Sequence, residues 1–289
     1  MTPLVAAAVL IAAVTHASWN AVAHHIRDQL LSFTLISGGG AAIGAVLACF
    51  APFPAAGAWP YLALSAAIHV GYMGLLMRSF RLGDFGQMYP IARGTAPLVV
   101  TVVAALLLHE VPDGWGLTGV AVASAGLVGL ALWGVLPLGG RRRTGGHPGW
   151  PAVTAALATG LAIAGYTVVD GIGVRASGTP LGYIAWLMIV QGLVIPLYAL
   201  HARRARLAAD LRPHAARGLL GAALSVAAYG LVLWAQTRAP LAPIAALRES
   251  SIIVGAAIGA LFFKERFGAP RIAAAGLMVV GIGLMLHSG

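Results

Sequence analysis

The sequence predicts an all-α membrane protein of ten transmembrane helices in two inverted five-helix repeats. Three observations predict it. Of 289 residues, 60% are hydrophobic and only 9% are Asp, Glu, Lys or Arg. A soluble domain carries about 25% charged residues, so this chain has too few to make a water-facing surface. The apolar residues fall in runs of roughly 20, and each run can cross a hydrocarbon core of about 30 Å as a helix. Finally, a polar segment from the first half recurs in the second.

The runs read as 3–23, 30–51, 59–80, 86–108, 115–136, 150–173, 180–200, 217–237, 241–263 and 269–287. Turn or charge chemistry separates them, as at His24-His25-Ile26-Arg27-Asp28, Gly139-Gly140-Arg141-Arg142-Arg143 and Lys264-Glu265-Arg266. Backbone groups inside lipid must bond within the chain, so each run is read as helix. The 38 glycines suit helices that approach closely in lipid. Met1 to Ala17 ends like a signal peptide but has no basic residue before its apolar run, so it is read as a retained helix. The single cysteine, Cys49, excludes an internal disulfide and a cysteine-cluster metal site.

The recurring segment is Arg93 to Glu110, matched by Arg248 to Glu265 at a shift of 155 residues. Val99 falls on Val254, Ala105 on Ala260, Leu106 on Leu261 and Gly126 on Gly281; one helix earlier, at a shift of 156, Gly74-Leu75 falls on Gly230-Leu231. Apolar matches alone carry little weight. An Arg at membrane depth and a terminal Glu at equal separation are far harder to produce by chance. The chain therefore divides into a repeat over 1–138, a basic loop over 139–149 and a second repeat over 150–289. Five helices is an odd number, so the second copy enters the membrane upside down. Inverted repeats recur in secondary transporters, with the solute site near the midplane.

The net charge of +10 does not mark a nucleic-acid binder. Arg27, Arg78, Arg81, Arg141 to Arg143, Arg203, Arg204, Arg206, Arg212, Arg217, Lys264, Arg266 and Arg271 all fall in or beside alternate loops. The other side has Arg175 and Arg238. That asymmetry places the basic loops in the cytoplasm of a cell-membrane protein and both termini outside. The run from His201 to Arg217 is read as the same signal, touching anionic lipid.

The chain resembles the drug/metabolite transporter superfamily, in its ten-helix EamA-like branch. The resemblance rests on His16-Ala17-Ser18-Trp19-Asn20, on Gly83-Asp84 followed by Tyr89-Pro90-Ile91-Ala92-Arg93-Gly94, and on the two Arg-to-Glu segments. His109-Glu110-Val111 departs from the pattern, in which a basic residue often follows the Glu. Lys264-Glu265-Arg266 fits it closely. The resemblance implies transport, often export of amino acids, metabolites or drugs, and names no solute.

Ionisable groups at membrane depth cost roughly 2.5–3.5 kcal/mol on insertion scales, so they face a cavity or a partner. Arg93 lies between Pro90 and Pro97, and Arg248 follows Pro240 and Pro243, so both helices should bend. Each Arg reads equally as a carboxylate contact for a solute or as half of a structural pair, Arg93 with Asp84 or Arg248 with Glu249. Gly94 leaves room beside Arg93, which favours Arg93 as the solute contact and Arg248 as the structural residue. His16, Trp19 and Asn20 share one helical face, as do His69 with Tyr72 and Tyr166 with Asp170. With Tyr229 and Tyr89 these would line a cavity suited to a flat or zwitterionic solute. The bland alternative is helix packing. Proton carriage by His16, His69 or Asp170 is a weaker reading.

No GxxxxGK[ST] loop or HExxH motif is present, so neither ATP drive within the chain nor a zinc protease is implied, and no cofactor is. The partners implied are a small-molecule substrate and the bilayer, with proton coupling and a homodimer left open. Two rivals remain: a passive subunit of a larger complex, whose polar residues would face lipid or a partner, and an intramembrane enzyme built on His16, His69 and Asp170.

Overall fold

The computed structural model describes residues 1–26, 28–82, 85–135, 150–254 and 269–287. Arg27, Gly83-Asp84, Arg141 to Arg143 and Lys264-Glu265-Arg266 lie outside the described residues, and so does the side chain of Tyr89. The principal described elements are helices: α1 (Pro3–His25), α2 (Gln29–Ala48), α3 (Trp59–Leu82), α4 (Phe85–Leu108), α5 (Gly114–Val135) and α6 (Trp150–Ala176). After them come α7 (Pro180–Gly192), α8 (Val194–Arg203), α9 (Leu207–Leu211), α10 (Ala215–Gln236), α11 (Leu241–Arg248) and α12 (Ala269–His287). The sequence writes several of their beginnings. Thr2 accepts from the Val5 N–H ahead of Pro3, Asp28 from Leu31, Asp113 from Gly116, and Thr179 from Gly182 ahead of Pro180. Each satisfies a donor that the first helical turn leaves open, and in α1 and α7 Pro takes the position that has no bond to lose.

Four described stretches are long and apolar enough to cross a membrane: Pro3–Ala23, Gln29–Ala48, Trp150–Ala176 and Pro180–Gln236. Thr95–Leu108, Gly114–Gly129 and Ile272–His287 are shorter apolar helices. Burial runs the opposite way from that of a soluble protein. Leu4, Leu106, Leu107, Leu220 and Val279 are exposed, while Ser65, Arg93, Thr167, Asp170, Gln236, Arg248 and Glu249 are buried. Such an exterior is favourable against lipid and would be an aggregation surface in water. The chain is a multi-pass membrane protein.

The helices pair across the two halves of the sequence: α1 with α10, α3 with α6, α2 with α7, and α5 with α12, while α4 lies against α5 and α6. Glycine sets two of these crossings. A Cβ on Gly44 would stand 2.7 Å from the Ala185 carbonyl oxygen, and one on Gly192 2.6 Å from that of Ser37. A Cβ on Gly119 would stand 2.6 Å from the Gly281 oxygen, and one on Gly126 3.0 Å from that of Ala274. Backbones this close leave no room for a side chain, which is how helices associate where lipid removes the hydrophobic drive.

Two helices break where the sequence suggested one run each. The 180–200 run divides at Leu193, three residues before Pro196, whose ring displaces the Gly192 carbonyl and whose nitrogen cannot donate. The 241–263 run stops at Arg248, turns through Glu249 and Ser250, and resumes at 251–254. There the N–H groups of Glu249, Ser250, Ile252 and Ile253 bond the carbonyls three residues back. Such 3₁₀ tightening inside a helix marks a hinge or a site.

Candidate functional site

Arg93, Arg248 and Glu249 meet inside the bundle. α4 delivers Arg93, two turns into the helix, and α11 delivers Arg248 at its last residue, so that Glu249 caps the break. Arg93 Nε stands 2.6 Å from Glu249 Oε2, an ionic contact in which the N–H does not point at the oxygen. Arg93 Nη2 also donates to Ser251 Oγ at 3.1 Å. Arg248 Nε is 3.8 Å from Glu249 Oε1, beyond hydrogen-bond reach. Among the described residues, Arg248 Nε and Nη2 are buried without a hydrogen-bond partner. Arg93, expected to be the freer of the two, is thus the engaged one. The 3₁₀ turn carries Glu249 and Ser251 toward α4, which an unbroken helix would not do.

Beside this cluster lies a cage of rings. His69 of α3 stacks on Tyr166 of α6, with centroids 4.0 Å apart and planes at 25°. Tyr229 of α10 meets His69 edge-on at 5.5 Å and Tyr166 at 6.2 Å, and Tyr72 meets Tyr166 at 5.7 Å. Such edge and offset contacts fit the ring quadrupoles. The Arg248 guanidinium carbon is 6.0 Å from the Tyr166 centroid, at the outer limit of a cation–π contact. Asp170, fully buried one turn beyond Tyr166, accepts from the Tyr183 hydroxyl at 2.9 Å and from the Tyr229 hydroxyl. Gly173 makes this possible, because a side chain there would occupy the place of the Tyr183 ring.

His16, Trp19 and Asn20 form a third group on α1, each half-buried. Trp19 Nε1 donates to His16 Nδ1 at 3.3 Å, and the Asn20 amide donates to the His16 carbonyl at 2.8 Å. Among the described residues this trio makes no ring contact with the cage. It packs with α1 against α10 and α11. Tyr89 stands on α4 one turn before Arg93. The structure thus gathers His69, Tyr72, Tyr166, Asp170 and Tyr229 into one cluster, joins Arg93 and Arg248 through Glu249, and keeps the α1 trio as a neighbouring group.

At one end of the bundle a second ion pair ties four helix ends. His109 adopts a left-handed φ of 55°, which ends α4 and turns Glu110 inward. Glu110 Oε1 is 2.5 Å from Arg175 Nη1, and its other oxygen accepts from the Leu241 N–H at 2.8 Å. Arg175 Nε donates to the Gln236 carbonyl at 2.7 Å and Nη2 to that of Ala239 at 3.0 Å. Sequence reasoning missed the roles of Tyr183, Ser251 and Arg175. Tyr183 had no partner in sequence, Ser251 needed the helix break, and Arg175 read as a mere exception to the charge asymmetry.

Among the described residues no group of three or more His, Cys, Asp or Glu could hold a metal ion. An apolar cavity of about 430 Å³, lined by Leu35, Pro196, Leu197, Leu207 and Leu219 among others, lies between α2, α8 and α10, away from the charged cluster.

Residues 150–287 match the sequence model of the EamA-like transporter family. No curated protein matches the chain in sequence. A protein of known crystal structure shares the fold, with a TM-score of 0.66 over 97% of this chain and 94% of that one, at 18% identity.

Proposed function

From the EamA-like transporter domain that residues 150–287 form, we propose that the whole chain is a secondary transporter that moves a small organic solute by alternating access. The observation that carries this is the joined cluster of Arg93, Glu249, Arg248 and the ring cage, deep inside an apolar exterior and beside a broken helix. Intramembrane charge is expensive and is kept at solute and ion pathways. Discontinuous helices at the junction of two repeats are where transporters bind their cargo.

Ten membrane-crossing segments in two inverted repeats, over 1–138 and 150–289, are part of the reading, and two features support it. Exchanging the halves turns the contact of α1 with α10 into that of α6 with α3, and maps the pairs of α2 with α7 and α5 with α12 onto themselves. The glycine crossings obey the same exchange. A shift of 148 takes Ser37 to Ala185 and Gly44 to Gly192, and a shift of 155 takes Gly119 to Ala274 and Gly126 to Gly281. The Arg175–Glu110 pair then acts as a latch that holds one face closed.

The loop charges put the latched face and both termini outside a cell membrane. Export is the direction that the family resemblance favours. Asp170, His69 and His16 are the groups through which protons would be coupled. Burial of the polar residues favours this reading over a passive subunit, whose polar groups would face outward, and no catalytic role is proposed.

The test is a solute screen with purified protein in liposomes under imposed pH gradients. Saturable flux of one solute class, absent from empty liposomes and dependent on the cluster, is expected. Flux of no solute in either orientation and at any gradient would reject the transporter reading.

A further inference from the structure

We propose that Arg248, rather than Arg93, receives the solute, and that the solute is a small carboxylate carrying a flat ring. The proposal rests on the transporter reading above and adds to it the chemistry of the cargo.

Four charges meet at the site: Arg93, Arg248, Glu249 and Asp170. Three are engaged. Glu249 Oε2 is held by Arg93 at 2.6 Å, and Arg93 also binds Ser251. The two oxygens of Asp170 take the hydroxyls of Tyr183 and Tyr229. The four charges sum to zero, and among the described residues Arg248 is a guanidinium with two adjacent N–H groups that no hydrogen bond takes up. Its Nε and Nη2 are buried and have no hydrogen-bond partner among the described residues. These two N–H groups lie on one edge of the guanidinium and point the same way. They make the planar fork that takes both oxygens of a carboxylate. Glu249 Oε1, at 3.8 Å, does not fill it. An unsatisfied buried guanidinium is costly, so an anion that fills the fork removes a strain which the empty state carries.

The ring follows from what stands next to the fork. The Tyr166 face lies 6.0 Å from the Arg248 guanidinium carbon, and Tyr166 is itself packed with His69, Tyr72 and Tyr229. His69, Tyr72 and Tyr229 are half-buried although deep in the bundle, so the cage retains accessible surface. A planar group attached to the carboxylate meets rings there, where an aliphatic chain would gain only area. Arg248 also ends α11 at the 3₁₀ turn, so filling its fork pulls directly on the hinge.

The probes are phenylacetate, its neutral isostere phenylacetamide, cyclohexylacetate and inorganic phosphate, with binding measured on the purified full chain in lipid nanodiscs. Phenylacetate should bind saturably, with phenylacetamide at least about tenfold weaker and cyclohexylacetate and phosphate weaker too. Arg248→Lys keeps the charge and loses the fork, so it should weaken phenylacetate at least about tenfold at normal folded yield. Should Arg248→Lys fail to fold, the phenylacetate-to-phenylacetamide ratio of the unmodified protein decides the matter. Equal binding of acid and amide, unchanged affinity in Arg248→Lys, preference for phosphate, or no phenylacetate binding overturns the proposal. The two readings fail differently in liposomes. Flux of neutral or cationic solutes without any aryl carboxylate sinks this proposal alone, whereas flux of nothing sinks the transporter reading with it.

Discussion

The Arg93–Glu249–Arg248 cluster and the Arg175–Glu110 pair use the same groups in opposite ways. At the bundle end, Arg175 and Glu110 are 31% and 18% exposed, yet every donor nitrogen of Arg175 and both oxygens of Glu110 have a partner. At the centre, the side chains are 5% exposed or less, and among the described residues Arg248 Nε and Nη2 have no hydrogen-bond partner. Stability alone would arrange these the other way, since an unpaired polar group costs more the deeper it lies. On the transporter reading, the end pair closes one face of the bundle. The central cluster holds back bonding capacity that a closed structure does not need.

The largest effect separating the two regions is expected at Glu249. Glu249→Gln leaves Arg93 and Arg248 buried with no countercharge between them. Removing one partner of a buried pair costs about 3–5 kcal/mol, so folded yield and thermal stability in detergent should fall sharply. Wild-type stability in this variant would mean that another group neutralises the two arginines.

Glu110 should behave differently. Glu110→Gln removes the charge from a partly exposed pair, where the stability cost is about 1 kcal/mol or less. Its main effect should be on access. A cysteine placed at Ala242, buried beside the latch on α11, should label several-fold faster from the latched side in a Cys49→Ser background. Exchanging the charges, with Glu110→Arg and Arg175→Glu together, should not restore closure. A carboxylate at 175 has no N–H to give the Gln236 and Ala239 carbonyls. Closure restored by the exchange would reduce the latch to simple charge attraction.

The contrast also marks what the sequence could disclose. The helices follow from the apolar runs and from caps such as Asp28, Asp113 and Thr179, all local signals. The ring cage was legible in part, because His69 with Tyr72 and Tyr166 with Asp170 share faces at helical spacing. That Arg93 would reach Glu249 was not. The reach depends on a two-residue break at Glu249-Ser250, where no proline or glycine stands to announce it. The Asp170–Tyr183 bond was hidden for a similar reason, since it needs the small residue at Gly173 and a helix crossing that no periodicity encodes.

A third ion pair supplies the smallest expected effect and a control for the other two. Arg203, at the end of α8, is 2.5 Å from Asp28 and 3.2 Å from Asp210, both about a third exposed. Burial is the largest single influence on the Asp28 carboxyl and pushes it up, but the Leu31 and Leu30 N–H groups and the Arg203 guanidinium together outweigh it and hold it below the usual carboxylate range. A carboxyl depressed on folding stabilises above its unfolded value and loses that contribution as pH falls through the folded one. Asp28 should therefore contribute near neutrality and cease to do so in acid, below about pH 4. Asp28→Asn keeps an oxygen to cap α2 and removes only the charge. Its melting temperature at neutral pH should lie within the scatter of the wild type, and the small difference should vanish in acid and in high salt. A loss as large as that of Glu249→Gln would show that exposure is not what separates the central cluster from the pairs at the ends.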